Sequence, residues 1–486
     1  MASTRRLPSE SLQDIAERSN GGAHRGVRYA SCRLPVDRPP RARRRNLMEA
    51  RGGLKPYLIR ALAGSGALQA AGMAATFLVG LQLARGLGPG GYGQYGITMA
   101  MLTLAAVPSE FGLPQLVTRE VAAASARDQR ERLFGVIAWA DRVVLTLAIP
   151  LSVLIAVGAW LVLDSRTVAI AVVVGAFAIP LVAFAKIRGA ALQGLHFVVL
   201  GQTPITLLRP LLMSLMLAVL FLLMPDADAS EAMALNVATA AVAVVFAHAW
   251  LRGRLPRPRP TRVEQDKSGW LRSALPMATT AGMRTFQPQI GILLLGLLAS
   301  SHEVGIFRVA LSTAVMVAVP IGLINTVIGP QLARLHAEGD WRRLQQLCSR
   351  SAQLMTAAVL MLALPFLLYG ARLLSLVFGE DFAPANTALM ILCLAQLASA
   401  MFGPNALLLV MAGNERRVTR AIAAALIVNA AVLLLLVPSL GQVGAAWAAG
   451  VGLLTWNSIA WWDAYRIVGV NTFFLSAGMK RIEPTS

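Results

Sequence analysis

Four arginines, Arg60, Arg142, Arg209 and Arg284, stand inside long apolar runs. A charge is costly there unless it faces a cavity or a partner. A guanidinium offers planar, bidentate donors and does not deprotonate, which suits a pyrophosphate or an acidic sugar. Gln287 follows Arg284 by one helical turn and extends the donor set on the same face. Two carboxylates in apolar runs are further candidates. Glu110 is a candidate to carry a coupling ion, because burial favours the protonated form of a carboxylic acid. Asp141 adjoins Arg142, either as a second coupling group or as one half of an ion pair. The plain alternative for each arginine is snorkelling to the interface, which fits Arg60 best because it lies nearest a span end. Nothing indicates catalysis. The three cysteines (Cys32, Cys348, Cys393) are far apart and the five histidines are scattered. No HExxH, GxSxG, Walker A or paired CxxC occurs. The expectation is a protein that is not an enzyme and has no resident cofactor, with H+ or Na+ as coupling ion at most.

The elements that must hold these groups are apolar helices. The chain is 56% hydrophobic and 14% charged, where a soluble protein carries roughly 25% charged residues. Its 44 basic residues exceed its 24 acidic ones, which in a soluble protein would suggest nucleic acid. Uncharged runs of about 20 residues instead match bilayer hydrocarbon, so the excess reads as topology and no nucleic-acid partner is expected. Twelve spans follow Pro56: 57–84, 93–114, 133–163, 168–186, 203–224, 231–251, 271–299, 305–329, 353–377, 385–412, 419–437 and 441–469. Basic residues cluster after the even-numbered spans. They include Arg119 to Arg132 after the second, Lys186 and Arg188 after the fourth, Arg252 to Arg272 after the sixth, and further groups after the eighth and tenth. That set holds 20 basic residues, against 4 (Arg85, Arg166, Arg308, Arg372) in the opposite loops. The positive-inside rule therefore places both termini in the cytoplasm. Arg142, Arg209 and Arg284 then lie roughly 10–20 Å in from the cytoplasmic end of odd-numbered helices, where they would line one cavity.

The chain also repeats. Tyr92-Gly93-Gln94-Tyr95 opens the second span and Val304-Gly305-Ile306-Phe307 opens the eighth, and each leads to a basic exit. Points six spans apart share an orientation, as in parallel-repeat transporters. The expected layout is an N-terminal six-helix bundle at 50–251, a basic cytoplasmic linker at 252–270, a C-terminal six-helix bundle at 271–470 and a cytoplasmic tail at 471–486. Pro256, Pro258 and Pro260 suit an extended, semi-rigid linker. Residues 1–46, rich in arginine and proline, are expected to be disordered, with Met48 as the expected start of translation.

The segment Leu83-Ala84-Arg85-Gly86-Leu87-Gly88-Pro89-Gly90-Gly91-Tyr92-Gly93-Gln94-Tyr95, continuing through Gly112-Leu113 to Thr118-Arg119-Glu120, resembles Wzx-type polysaccharide-unit (O-antigen) flippases. Val304-Gly305-Ile306-Phe307, with Pro330 and Arg334 beyond it, is similar to them more loosely. The resemblance implies an all-α polytopic membrane protein of the MATE-like exporter superfamily, with two six-helix bundles around a central cavity and an alternating-access mechanism. It implies a lipid-linked (polyprenyl-diphosphate) oligosaccharide as cargo and the bacterial inner membrane as location. Membrane lipids, a polysaccharide polymerase and a chain-length regulator are the implied partners. The cargo would place its diphosphate among Arg284, Arg142, Arg209 and Gln287. One departure stands out. Such proteins often carry an acidic residue in the seventh helix, where this chain reads Arg284-Thr285-Phe286-Gln287-Pro288-Gln289, so a coupling scheme built on that carboxylate does not transfer.

Three other readings compete. A drug/cation antiporter of the same superfamily calls for buried carboxylates, which the first and seventh spans lack. A lipid II flippase would be expected to have two further helices. A membrane-bound glycan polymerase or ligase needs a sizeable outward loop, and every outward loop here is short.

Overall fold

A computed structural model describes residues 54–476 apart from 164, 258–259, 261–262 and 265, with side chains from residue 64 onward except that of Thr280. The expectations for residues 1–46, Met48 and the Arg60 side chain fall outside the described residues. The described residues contain helices and no strand, as apolar segments without water must, because each backbone polar group has to be satisfied within its own segment.

In chain order the helices are α1 (Leu54–Glu110), α2 (Leu113–Ala126), α3 (Arg130–Val162), α4 (Arg166–Ala176), α5 (Ala178–Gly194), α6 (Val198–Thr203), α7 (Arg209–Leu223) and α8 (Ala229–Arg254). The second half contributes α9 (Lys267–Leu298), α10 (Ser301–Val317), α11 (Val319–Glu338), α12 (Trp341–Phe378), α13 (Ala385–Met401), α14 (Asn405–Met411) and α15 (Glu415–Val468). A π-helical turn, Pro204–Leu208, joins α6 to α7.

Among the described residues, 8 helices are long and apolar enough to cross a membrane, or 9 if the bent pair α13–α14 is one span. The count of twelve is finer than this criterion gives, and two breaks account for part of the difference. Helix α1 is interrupted at Gly88 (φ 64°) before Pro89, and α15 at Gly441 (φ 52°), so each holds two helices of different direction. Both breaks use glycine because φ there is positive. The break at Gly441 frees the Gln442 N–H, which donates to Glu303 of α10 at 2.8 Å.

Packing falls largely within two sets. Helices α5 and α8, α2 and α5, and α3 and α4 pack together in the first half. In the second half α12 with α13, α13 with α15, and α9 with α15 do the same. Between halves, α2 meets α9, and the α1 segment after Gly88 crosses α10. That crossing is tight. A Cβ on Gly93 would overlap the Ser301 carbonyl, and one on Gly305 would overlap the Pro89 carbonyl. At the same end Arg85 donates to the carbonyls of Leu376 and Val377, each at 2.7 Å, satisfying the last turn of α12.

Between Arg254 and Lys267, the described residues Arg257 and Glu264 touch α3. Gly135 leaves room for the Glu264 carbonyl, Arg130 donates to the Arg257 carbonyl at 3.3 Å, and Trp270 lies buried 5.4 Å from Trp139. At the chain's far end, 471–476 is packed rather than free. Asn471 accepts from Trp461 Nε1 at 3.0 Å and exchanges hydrogen bonds with Gln345, while Thr472 and Ser476 are buried.

Candidate functional site

A cavity of about 640 Å³ lies between the halves, lined by α1, the π turn, α7, α8, α9, α10 and Val319 of α11. Two cations reach it: Arg209 from the first half and Arg308 from the second. No carboxylate is among the described lining residues.

Local sequence sets Arg209 in place. Pro204 lacks an N–H and crowds the preceding turn, so the helix widens there. The Arg209 N–H reaches back five residues to the Pro204 carbonyl, and Pro210 follows. The bulged backbone is accommodated because Gly72 has no side chain; a Cβ there would overlap the Thr206 carbonyl. Arg209 Nη2 then donates to Asn236 Oδ1 at 2.8 Å, and Asn236 Nδ2 donates to the Tyr95 hydroxyl at 3.0 Å. Asn236 and Tyr95 are buried.

Arg308 approaches the same tyrosine from the other half. Its guanidinium carbon lies 4.6 Å from the ring centre of Tyr92 and 5.7 Å from that of Tyr95. Stacking on the two rings holds the charge without neutralising it. Its Nη1 is buried and has no hydrogen-bond partner. A continuous chain thus runs Arg209–Asn236–Tyr95–Arg308, joining two guanidinium groups across the interface. Such an arrangement accepts an anion, because it presents charged donors in an apolar setting with unfilled capacity.

Of the expected site residues, Arg209 lines this cavity and Arg142, Arg284 and Gln287 do not. Arg142 and Arg284 are exposed and Gln287 is half-buried. From α9 the cavity instead takes Pro288, Gln289 and Ile292. Arg284 stands one turn before Pro288 on the same helical face, short of the lining itself.

The two carboxylates are occupied. Glu110 Oε1 accepts from Lys186 Nζ at 2.5 Å, and Asp141 pairs with Arg188 rather than with its neighbour Arg142. Lys186 and Arg188 therefore belong to the body of α5, not to a cytoplasmic loop, and their charges balance carboxylates on α1 and α3. Arg308 likewise lies inside α10, not in an outward loop. Sequence reasoning missed it by counting it with the loop charges. The signal within the sequence was its place directly after Val304-Gly305-Ile306-Phe307, the position that Gly96 holds in the matching motif, while its contact with the tyrosines crosses the halves.

Several relatives share the architecture. An inward-facing multidrug resistance MATE family transporter of the MOP superfamily superposes with a TM-score of 0.65 at 13% identity, covering 80% of this chain and 92% of that one. The lipid II flippase MurJ in an inward closed conformation gives 0.63 at 11%, covering 84% and 87%. A MOP superfamily transporter from Pyrococcus furiosus, described as having a binding pocket of reversed polarity, gives 0.57 at 14%, covering 82% and 94%. At these identities the likeness establishes the fold, an all-α MATE-like membrane protein. No curated protein matches the chain by sequence. Residues 62–336, more than half of the chain, match the family described as Polysaccharide biosynthesis protein. The chain belongs to that polysaccharide biosynthesis family.

Proposed function

We propose that the protein moves a polyprenyl-diphosphate-linked oligosaccharide from the cytoplasmic to the outer leaflet of the bacterial inner membrane, by alternating access and without covalent chemistry. The observation that carries this reading is the sign of the cavity. Arg209 and Arg308 reach it from opposite halves, and no described lining residue is a carboxylate to balance them. A diphosphate entering there supplies acceptors that the Arg308 guanidinium lacks. Membership of a polysaccharide biosynthesis family and a fold shared with a lipid II flippase support a lipid-linked glycan as cargo. A cationic drug would meet two positive charges in the same space, which weighs against the antiporter reading.

The proposal includes twelve crossings with both termini in the cytoplasm, supported by the breaks at Gly88 and Gly441 and by the basic loops. In that orientation the crossing of Gly93 with Ser301 and the Arg85 contacts close the outer end, as suits a state loaded from the cytoplasm. The ion pairs of Glu110 and Asp141 favour structural roles for both, which leaves H+, Na+ or membrane potential to act elsewhere. A polymerase and a chain-length regulator would receive the product.

Proteoliposomes loaded with a fluorescent polyprenyl-diphosphate oligosaccharide test the reading, with a membrane-impermeant quencher reporting leaflet. The expected result is translocation by the wild type and at least a roughly tenfold loss in Arg209→Gln and in Arg308→Gln, the order of one charge-assisted hydrogen bond. Wild-type rates in both variants, at unchanged thermal stability, would remove the anion site.

A further inference from the structure

We infer that a second, polar chamber beside the cation-lined cavity binds the hydroxyl groups of the sugar nearest the diphosphate. This rests on the reading of Arg209 and Arg308 as the diphosphate site. The chamber holds about 290 Å³ and is walled by Gln115, Thr118, Lys186, Gln193, Gln202 and Thr206, among others. That volume is near the lower end of small-ligand pockets, about 300–1,000 Å³.

Its chemistry differs from that of its neighbour. Lys186 carries the charge, and Glu110 cancels it at 2.5 Å, so the chamber is neutral and gives a second phosphate no net attraction. What it offers is a mixture of donors and acceptors. An ammonium has three donors, and Glu110 uses one of those on Lys186. The Thr118 hydroxyl gives its proton to the carbonyls of Pro114 at 3.0 Å and Ala190 at 3.2 Å, leaving its oxygen to accept. The Gln202 Oε1 is buried with no partner. Carboxamides both donate and accept, and so do vicinal hydroxyls on a sugar ring, so the two sets match. An apolar ligand would leave the Gln202 oxygen unsatisfied.

The chamber is built where two helices touch. A Cβ on Gly189 would overlap the Gly201 carbonyl, and one on Gly201 would overlap the Gly189 carbonyl and come within 2.9 Å of Gln193 Cγ. This contact sets Gln193 of α5 beside Gln202 of α6. The π turn then divides the two cavities, because Ile205 and Thr206 line both. Thr206 precedes Arg209 by three residues, a rise of about 4.5 Å along the helix. A sugar bonded to a phosphate held by Arg209 therefore comes within about one turn of Thr206, with the Gln202 carboxamide roughly one turn further along the helix.

Two probes separate this inference from the reading beneath it: polyprenyl diphosphate bearing the oligosaccharide, and the same lipid diphosphate bearing no sugar. Gln193→Leu and Gln202→Leu are expected to slow the sugar-bearing lipid by about tenfold, the worth of one or two hydrogen bonds, and to move the bare lipid at the wild-type rate. Arg308→Gln is expected to lose both. Wild-type transport of the sugar-bearing lipid by both glutamine variants, with Arg308→Gln inactive, overturns the sugar chamber and leaves the diphosphate site standing. Equal loss of both probes in the glutamine variants also overturns it, whether or not melting temperature falls, since the chamber then serves the helix contact. Transport of both probes by Arg308→Gln brings down the diphosphate reading itself. Gln115→Leu, at an exposed position of the chamber wall, provides a variant whose folding is not at stake.

Discussion

Arg308 lies in the space that a side chain on Gly96 would fill, since a Cβ there would overlap its Cδ and Nη1. The two residues hold equivalent places in the repeat, one ending Tyr92-Gly93-Gln94-Tyr95-Gly96 and the other Val304-Gly305-Ile306-Phe307-Arg308. The glycines one turn earlier, Gly93 and Gly305, make the crossing itself. The halves thus meet at matched small residues and diverge one turn on, where an arginine of one half occupies the room left by the other.

Gly96→Ala is expected to fold, because the atoms it displaces belong to a flexible side chain, and to slow translocation roughly fivefold by moving Arg308 off the tyrosine rings, a contact of order 1 kcal/mol. Coupling is the decisive readout. If Gly96 acts only through the guanidinium, the double variant Gly96→Ala/Arg308→Gln transports as Arg308→Gln alone does, whereas fully additive losses would separate the two positions.

The crossing itself predicts a shift in access. Gly93→Ala places a methyl group against the backbone of Ser301, which has no side-chain freedom with which to give way. The outer end should open. With Ser312→Cys as a reporter in the cavity, labelling by a membrane-impermeant thiol reagent from outside should rise several-fold relative to the same cysteine beside native Gly93. Unchanged labelling would mean that the contact does not hold the outer end shut.

Much of this was legible in the sequence, for identifiable reasons. Long uncharged runs and the Gly-aromatic motif are local or additive signals, and they pointed to the all-α membrane fold. Arg209 was legible because a charge in a long apolar run stands out. Lys186 and Arg188 misled because a span written as ending at 186 makes any later cation look like a loop residue; only the fold sets Glu110 and Asp141 opposite them. Arg284 misled for the opposite reason. It shares a face of α9 with Pro288, and only the fold shows that the cavity meets that face one turn further on, at Pro288, Gln289 and Ile292. Arg308 needed a contact across the halves, which no single segment encodes.

The pair Glu110–Lys186 separates a structural from a coupling role. Glu110→Gln leaves the ammonium without its counter-charge and is expected to cost about 1–3 kcal/mol, less than a fully buried pair because both side chains keep some exposure. Adding Lys186→Met should recover most of the lost thermal stability, and with it transport of the lipid diphosphate that bears no sugar, since Lys186 also walls the sugar chamber. A coupling carboxylate would behave differently, since the neutral double variant could regain its melting temperature but not its dependence on an ion gradient.

Residues 469–476 after α15 form a structural plug. Asn471 Oδ1 accepts from Trp461 Nε1 and from the Phe473 N–H, both at 3.0 Å, and Phe474 N–H bonds to the Met401 carbonyl at 2.9 Å. These bonds tie the chain after Gly469 to α12, α13 and the end of α15. Asn471→Ala removes an acceptor that two donors share, and a donor left unpaired costs about 1–3 kcal/mol. The melting temperature of the purified protein should fall while translocation at low temperature stays near wild type, because no described residue of this segment lines the cavity. A variant that keeps its melting temperature but loses transport would instead make the segment part of the moving machinery.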